Sequence, residues 1–326
     1  MKKKGQVEAQ FNWIFALVAG ALILSLIAGF IFKQQQISQD KKNEENLRDF
    51  QGILSALKLT EERVESLDLD YRTSFRIDFE SNVFVMGKSV AEITTDVVAA
   101  PRILTGRKLY VWTKLVMMPA HITNVVFLSP SLRNYVFVAN NIDDEEVKEF
   151  YDSFPSSINK MLTTDLGTEA TVRSILKQSD AKIRIVYINM PVQNKSALAP
   201  KRISEISLNL NSGTVEFGKK SYPLYYNADM KSIMPQIAVL VDNGDDYNVS
   251  VSRIFERGEK VYEILSLRAA SLRDFYASLN EQNCRKIFGD AVPMFNNLNP
   301  GNMVQYYPQI KLLYYQAESD GCANLY

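Results

Sequence analysis

From Trp13 to Phe32 the chain runs through twenty consecutive residues among which Ser25 is the only polar side chain. At about 1.5 Å rise per residue such a helix covers roughly 30 Å, the thickness of the hydrocarbon core of a bilayer. Beyond Lys33 the pattern changes without stopping: Ile37, Leu47, Phe50, Ile53, Leu54 and Leu57 recur at helical spacings within a polar background. The periodicity predicts one helix over residues 11–58, apolar all round in its first half and striped in its second. Gly52 is its weak point, costing about 1 kcal/mol relative to alanine.

The period then switches to two. Tyr71, Thr73, Phe75, Ile77 and Phe79 alternate with Arg72, Ser74, Arg76, Asp78 and Glu80, which predicts a strand with one wet face. Strands are also predicted at 82–86, 109–116, 124–128 and 135–138, the last three as apolar runs suited to central positions. A helix should begin at Asp143 or Asp144, whose carboxylates suit a helix start, and stop before Phe154-Pro155. A second helix is predicted at 169–178, a buried strand at 183–190, and a hairpin around Asn211-Ser212-Gly213. From 251 to 279 the spacing is helical again. Two further helices, 284–298 and 302–319, flank the turn signal Asn299-Pro300-Gly301. The expected class is α+β: a basic tail (1–10), a transmembrane helix (11–33), an amphipathic stalk (34–60), a mixed α/β body (61–245) and a helical C-terminal region packed on it (246–326).

Composition refines this. Hydrophobic residues make up 46% and charged residues 23%, a foldable balance. Lysine plus arginine, 37, equals aspartate plus glutamate, 37, so the electrostatic basis for nucleic-acid binding is missing. The one dense basic run, Lys2 to Lys4, sits on one side of the apolar helix and places the short N-terminus in the cytoplasm and the body outside. A cleavable secretory signal would have an apolar core of about 7–15 residues ending in small residues. This run is longer and ends Gly-Phe-Ile-Phe-Lys, which favours a retained anchor, with the lipid bilayer as partner. The two cysteines, Cys284 and Cys322, can pair in an oxidising location, because an antiparallel helical pair brings the start of one helix to the end of the next. Two buried free thiols are the alternative.

Candidate chemistry is sparse. Val85-Met86-Gly87-Lys88-Ser89 ends like a phosphate-binding loop, but Asn82 stands where the first glycine belongs and the intervening residues suit a strand. No G-x-G occurs, so the dinucleotide fingerprint is absent. His121 is the only histidine, and with neither G-x-S-x-G nor a free cysteine beside it a structural or surface role is expected. Asp242-Asn243-Gly244-Asp245-Asp246 gathers oxygen ligands of the kind calcium takes, or makes a solvated turn before a helix starting near Val249. Tyr306, Tyr307, Tyr314 and Tyr315 form either a binding platform or core packing. Asn194-Lys195-Ser196 and Asn248-Val249-Ser250 fit the N-glycosylation pattern. No catalytic constellation, metal site or cofactor is indicated.

Lys4-Gly5-Gln6 followed by a retained apolar helix resembles the class III signal of archaeal type IV pilins and pilin-like proteins. In that family a prepilin peptidase cuts after the glycine, and the apolar half-helix packs into a filament core. The resemblance implies cleavage between Gly5 and Gln6, and the long first helix is similar to that of pilins. It covers about residues 2–32, and Gln10 stands where the family has glutamate. Phe11-Asn12-Trp13-Ile14-Phe15 also resembles the start of archaeal single-pass membrane proteins with the same layout. The expected function is a membrane-anchored, extracytoplasmic structural or binding protein, pilin-like, whose partners are membrane or surface-assembly proteins. The alternative is an anchored hydrolase working through paired carboxylates. A ligand-binding sensor, which would need a membrane partner, is a weaker third.

Overall fold

The computed structural model describes residues 4–57, 64–93, 97–117, 120–164, 166, 181–193, 201–224, 233–299 and 302–324. The helix expected at 169–178 and the Asn194 glycosylation pattern lie outside them, as do Lys2 and Lys3.

Helix α1 is continuous over Lys4–Leu57. No proline interrupts it, and its two halves behave as differently as their patterns. In the first, Leu17, Leu22, Leu26, Phe30 and Phe32 are exposed on every side. It is long and apolar enough to cross a membrane. In the second, Leu47, Phe50 and Leu54 form a buried stripe, and the Phe50 ring packs 4.8 Å from Phe84 and 5.4 Å from Phe75.

What this stripe covers is a six-stranded sheet in the order β3-β2-β1-β5-β6-β4, with β1 Val64–Asp78, β2 Val83–Met86, β3 Ser89–Glu92, β4 Val97–Ala99, β5 Ile103–Met117 and β6 His121–Pro130. All pairings are antiparallel except β4 on β6. The period-two residues Thr73, Phe75, Ile77 and Phe79 point inward. Glu92 and Val97 end the two edge strands, and the five residue steps between them span at most about 18 Å. Six flat strands about 4.8 Å apart would set those edges roughly 24 Å apart, so the sheet must curl around its core.

The second sheet runs β12-β11-β10-β9-β7-β8, with β7 Arg133–Ala139, β8 Lys160–Thr163, β9 Lys182–Ile188, β10 Ile203–Asn209, β11 Thr214–Phe217 and β12 Lys220–Pro223. Its four strands β8, β7, β9 and β10 are parallel, and β11 and β12 add an antiparallel meander. Parallel strands are buried on both faces, which explains the uninterrupted apolar runs. Tyr135, Phe137, Val186 and Ile188 face the main core, whereas Val136, Val138, Ile183 and Ile185 form a smaller one behind.

Helix α2, Glu145–Asp152, follows β7, and the Asp144 carboxylate caps it by accepting from Glu146 N and Val147 N. Helix α3, Ile233–Leu240, is buried all round. Helix α4, Gly244–Ser278, starts earlier than the spacing implied because Asn243 Oδ1 accepts from Asp246 N and caps it. Its first part packs on β4 and β6, and α5, Gln282–Asn297, and α6, Met303–Ser319, close the chain.

Candidate functional site

Among the described residues three places hold more than packing: the seam between the sheets, a cleft beside it, and the carboxyl edge of the parallel strands. At the seam, Arg102 grips Asp246 through Nε at 2.9–3.0 Å and Nη2 at 2.8 Å, while its backbone N donates to Asp242 Oδ2 at 2.9 Å. The other Asp242 oxygen accepts from Arg133 Nη1 at 2.9 Å. Burial would raise the Asp242 carboxyl, but Arg133, reinforced by the Arg102 amide and Arg184, holds it below the usual carboxylate value. Arg184, 1% exposed, donates from Nη2 to Ala238 O and Val241 O, so its charge sits on the carbonyl end of α3. Burial, with Arg133 adding like charge, pulls this guanidinium down to about 9, still protonated at neutral pH. Of the two readings of Asp242 to Asp246, the turn before a helix is the one seen; Asp242 and Asp246 are engaged by Arg133 and Arg102, and the turn joins β7, the segment leading into β5 and two helices.

Trp112 supplies the apolar half of the seam, stacked on Phe127 at 5.4 Å and edge-on to Phe154. Its Nε1 donates to Gln236 Oε1, and Gln236 Nε2 donates to Ser153 O and Oγ, so this wholly buried amide has acceptor and donor both used. Next to it opens a cleft of about 670 Å³, lined by Trp112, Lys114, Asp152, Ser153, Phe154 and Lys160 among others. That volume suits a small ligand. Lys160 among its titratable groups is already engaged in structure. Lys160 Nζ donates to Tyr151 O and Phe154 O at 2.7 Å, lies 4.2 Å over the Tyr151 ring, and is lowered by burial. Asp152 is the one carboxylate among the described lining residues, and the Ser153 hydroxyl donates to Phe150 O.

In open α/β sheets ligands bind outside the carboxyl ends of the strands, where the order reverses. The order β8-β7-β9-β10 puts that point between β7 and β9. By register, Asn140, Asn189 and Asn209 stand side by side there. Asn189 adopts φ 53° and its Oδ1 accepts from Leu210 N; Asn209 Oδ1 accepts from Ser212 N. The adjoining helix start carries Asp143, Asp144, Glu145 and Glu146, so the dipole that would attract a phosphate is already answered by carboxylates.

The other sequence candidates fall apart spatially. Gly87-Lys88 is the two-residue turn of the β2–β3 hairpin, with Met86 paired to Ser89, which disposes of a phosphate loop. His121 Nε2 lies 2.8 Å from Asn124 Oδ1 at the sheet surface. Tyr307 is buried while Tyr315 is 54% exposed, so the tyrosines form no common platform. In Asn248-Val249-Ser250 the serine is buried in α4 and donates to Val98 O. Cys284, in the first turn of α5, and Cys322, just past α6, have their sulfurs 2.02 Å apart, at disulfide distance. Gly5 and Gln6 are in the first turn of α1, far in sequence from any of these groups. The chain matches no protein-family model, no curated protein and no solved structure.

Proposed function

We propose that this chain is a single-pass membrane protein with an extracytoplasmic body, a structural or binding component of a surface or secretion assembly, built on a pilin-like plan. The observation that carries the reading is the division of labour along α1: one uninterrupted helix whose first half exposes apolar side chains on all sides and whose second half is packed on an antiparallel sheet. Exposed apolar surface of that extent calls for lipid or for neighbouring helices. The cysteine pair supports a body in an oxidising compartment. The Lys4-Gly5-Gln6 junction would then be the processing site, and the filament or secretion partner would cover the apolar half after release from the bilayer. An anchored hydrolase remains the alternative reading; among the described residues lining the cleft Asp152 is the one carboxylate.

Mass spectrometry of the N-terminus, on protein isolated from a host with active prepilin peptidase, tests this. Cleavage is expected to leave Gln6 as the first residue. An intact Met1 or Lys2 start would remove the pilin-like plan and leave the anchor.

A further inference from the structure

We propose that the β2–β3 turn and the lysines just past the apolar run form a surface that rests on phospholipid headgroups, so that the body is seated on the bilayer and does not swing from a tether. The proposal rests on the anchor reading above and adds a contact to it. Residues 33–43, Lys-Gln-Gln-Gln-Ile-Ser-Gln-Asp-Lys-Lys-Asn, contain no glycine or proline and lie inside the continuous helix, so there is no hinge between span and body. The body takes hold at once. Lys88 Nζ lies 3.3 Å from Asp40 Oδ2, and the position of a Cβ on Gly87 is 2.6 Å from Asn43 Nδ2.

Direction follows from the same contacts. Lys88 sits beside Asp40, and Glu92 O accepts from Gln51 Nε2 further along, so β3 runs with α1 and the Gly87-Lys88 turn is its membrane-side end. From Lys33 to Asp40 the helix rises about 10 Å. The headgroup layer of one leaflet is about 5–7 Å deep, so the turn stands within a lysine's reach of it. Charge agrees with this placement. Nearest the span are Lys33, Lys41, Lys42 and Lys88 against the single carboxylate of Asp40, and Glu44 and Glu45 come further out. Lys88 is 70% exposed despite its contact with Asp40. Cations concentrated at that depth are complementary to lipid phosphates.

The test uses the full chain in vesicles of phosphatidylcholine and phosphatidylglycerol carrying a headgroup nitroxide lipid. A fluorophore is attached through Ser89→Cys at the turn, through Glu80→Cys at the opposite end of β2, and through Leu24→Cys in the span. Ser89→Cys should lose most of its fluorescence to the headgroup nitroxide while Glu80→Cys keeps its own, and adding Lys41→Glu with Lys88→Glu should restore much of the loss. Leu24→Cys should be quenched by a nitroxide on the acyl chain. Equal, weak quenching at Ser89→Cys and Glu80→Cys with Leu24→Cys still quenched would overturn the seating and leave the anchor intact. Loss of the Leu24→Cys signal change would overturn both.

Discussion

Asp242 is the residue on which the seam turns, since one oxygen holds Arg133 of β7 and the other the amide of Arg102. Arg133 is only 3% exposed, so removing its partner strands a buried cation. Such losses run to about 3–5 kcal/mol in fully buried pairs. Asp242 keeps 35% of its side-chain surface, so Asp242→Asn is expected to cost roughly 2–3 kcal/mol in urea melts at pH 7. Because the folded-state carboxyl is lowered, its contribution is complete above the unfolded value of about 3.9 and disappears as pH falls through the folded one. The gap between wild type and variant should therefore close below about pH 4; a gap constant from pH 7 to pH 3 would show that the charge is irrelevant. Sequence pattern placed an oxygen-rich turn here but not its function, because Arg102, Arg133 and Arg184 reach it from positions 58 to 140 residues away. Gly87 teaches the same lesson. Its neighbours look like the end of a phosphate loop, yet φ of +61° and a two-residue turn are what the position requires.

Among the elements, those with a strong period of their own were legible. Helix α1 is continuous through Leu57, the last described residue of that stretch, and the period-two run at Thr73 to Phe79 marks the inward face of β1. The Asp144 cap and the break near Pro155 follow from local chemistry. What local pattern could not convey was partnership. An apolar run such as Tyr135 to Val138 is compatible with either sheet, and the parallel order β8-β7-β9-β10 depends on pairings between distant segments. The C-terminal hairpin is an intermediate case: its turn signal and helix lengths set up the approach of Cys284 to Cys322, while the side chains burying α5, Ile287, Phe288 and Phe295, come into register only with α4 beneath. The cysteines are 38 residues apart in sequence, and closing such a loop stabilises by up to about 4 kcal/mol in the chain-entropy model. Cys322→Ser is accordingly expected to lower the midpoint of thermal unfolding. Adding reductant should lower the wild type toward the variant and leave the variant unmoved, as followed by circular dichroism. A reductant effect of equal size on both would exclude the pair as its source.

At the scale of the whole molecule the chain is two objects joined by one helix, and the place to divide them can be derived. The 18-residue apolar window of α1 has no part buried against the body, so its solubility problem is separable from folding. The second half is a different matter. Phe50 is wholly buried between Phe75 and Phe84, with Leu47 and Leu54 on either side, and burying each such side chain is worth about 1.5–3 kcal/mol. A chain beginning at residue 34 should therefore be soluble without detergent, monodisperse by size-exclusion chromatography, and within a few degrees of the full-length melting point in micelles. Beginning at residue 58 removes the stripe and uncovers Phe75, Phe84 and Met86 together, an apolar patch on the face of a curled sheet that has an exposed edge strand beside it. That chain is expected to aggregate, or to melt far lower, because α1 is the helix packed on β2 and β3. Equally soluble and equally stable truncations would mean that the docked half of α1 contributes nothing to the body. Soluble folding of neither would mean that the apolar half is itself part of the core, and the division of α1 into a span and a structural stripe would have to be abandoned.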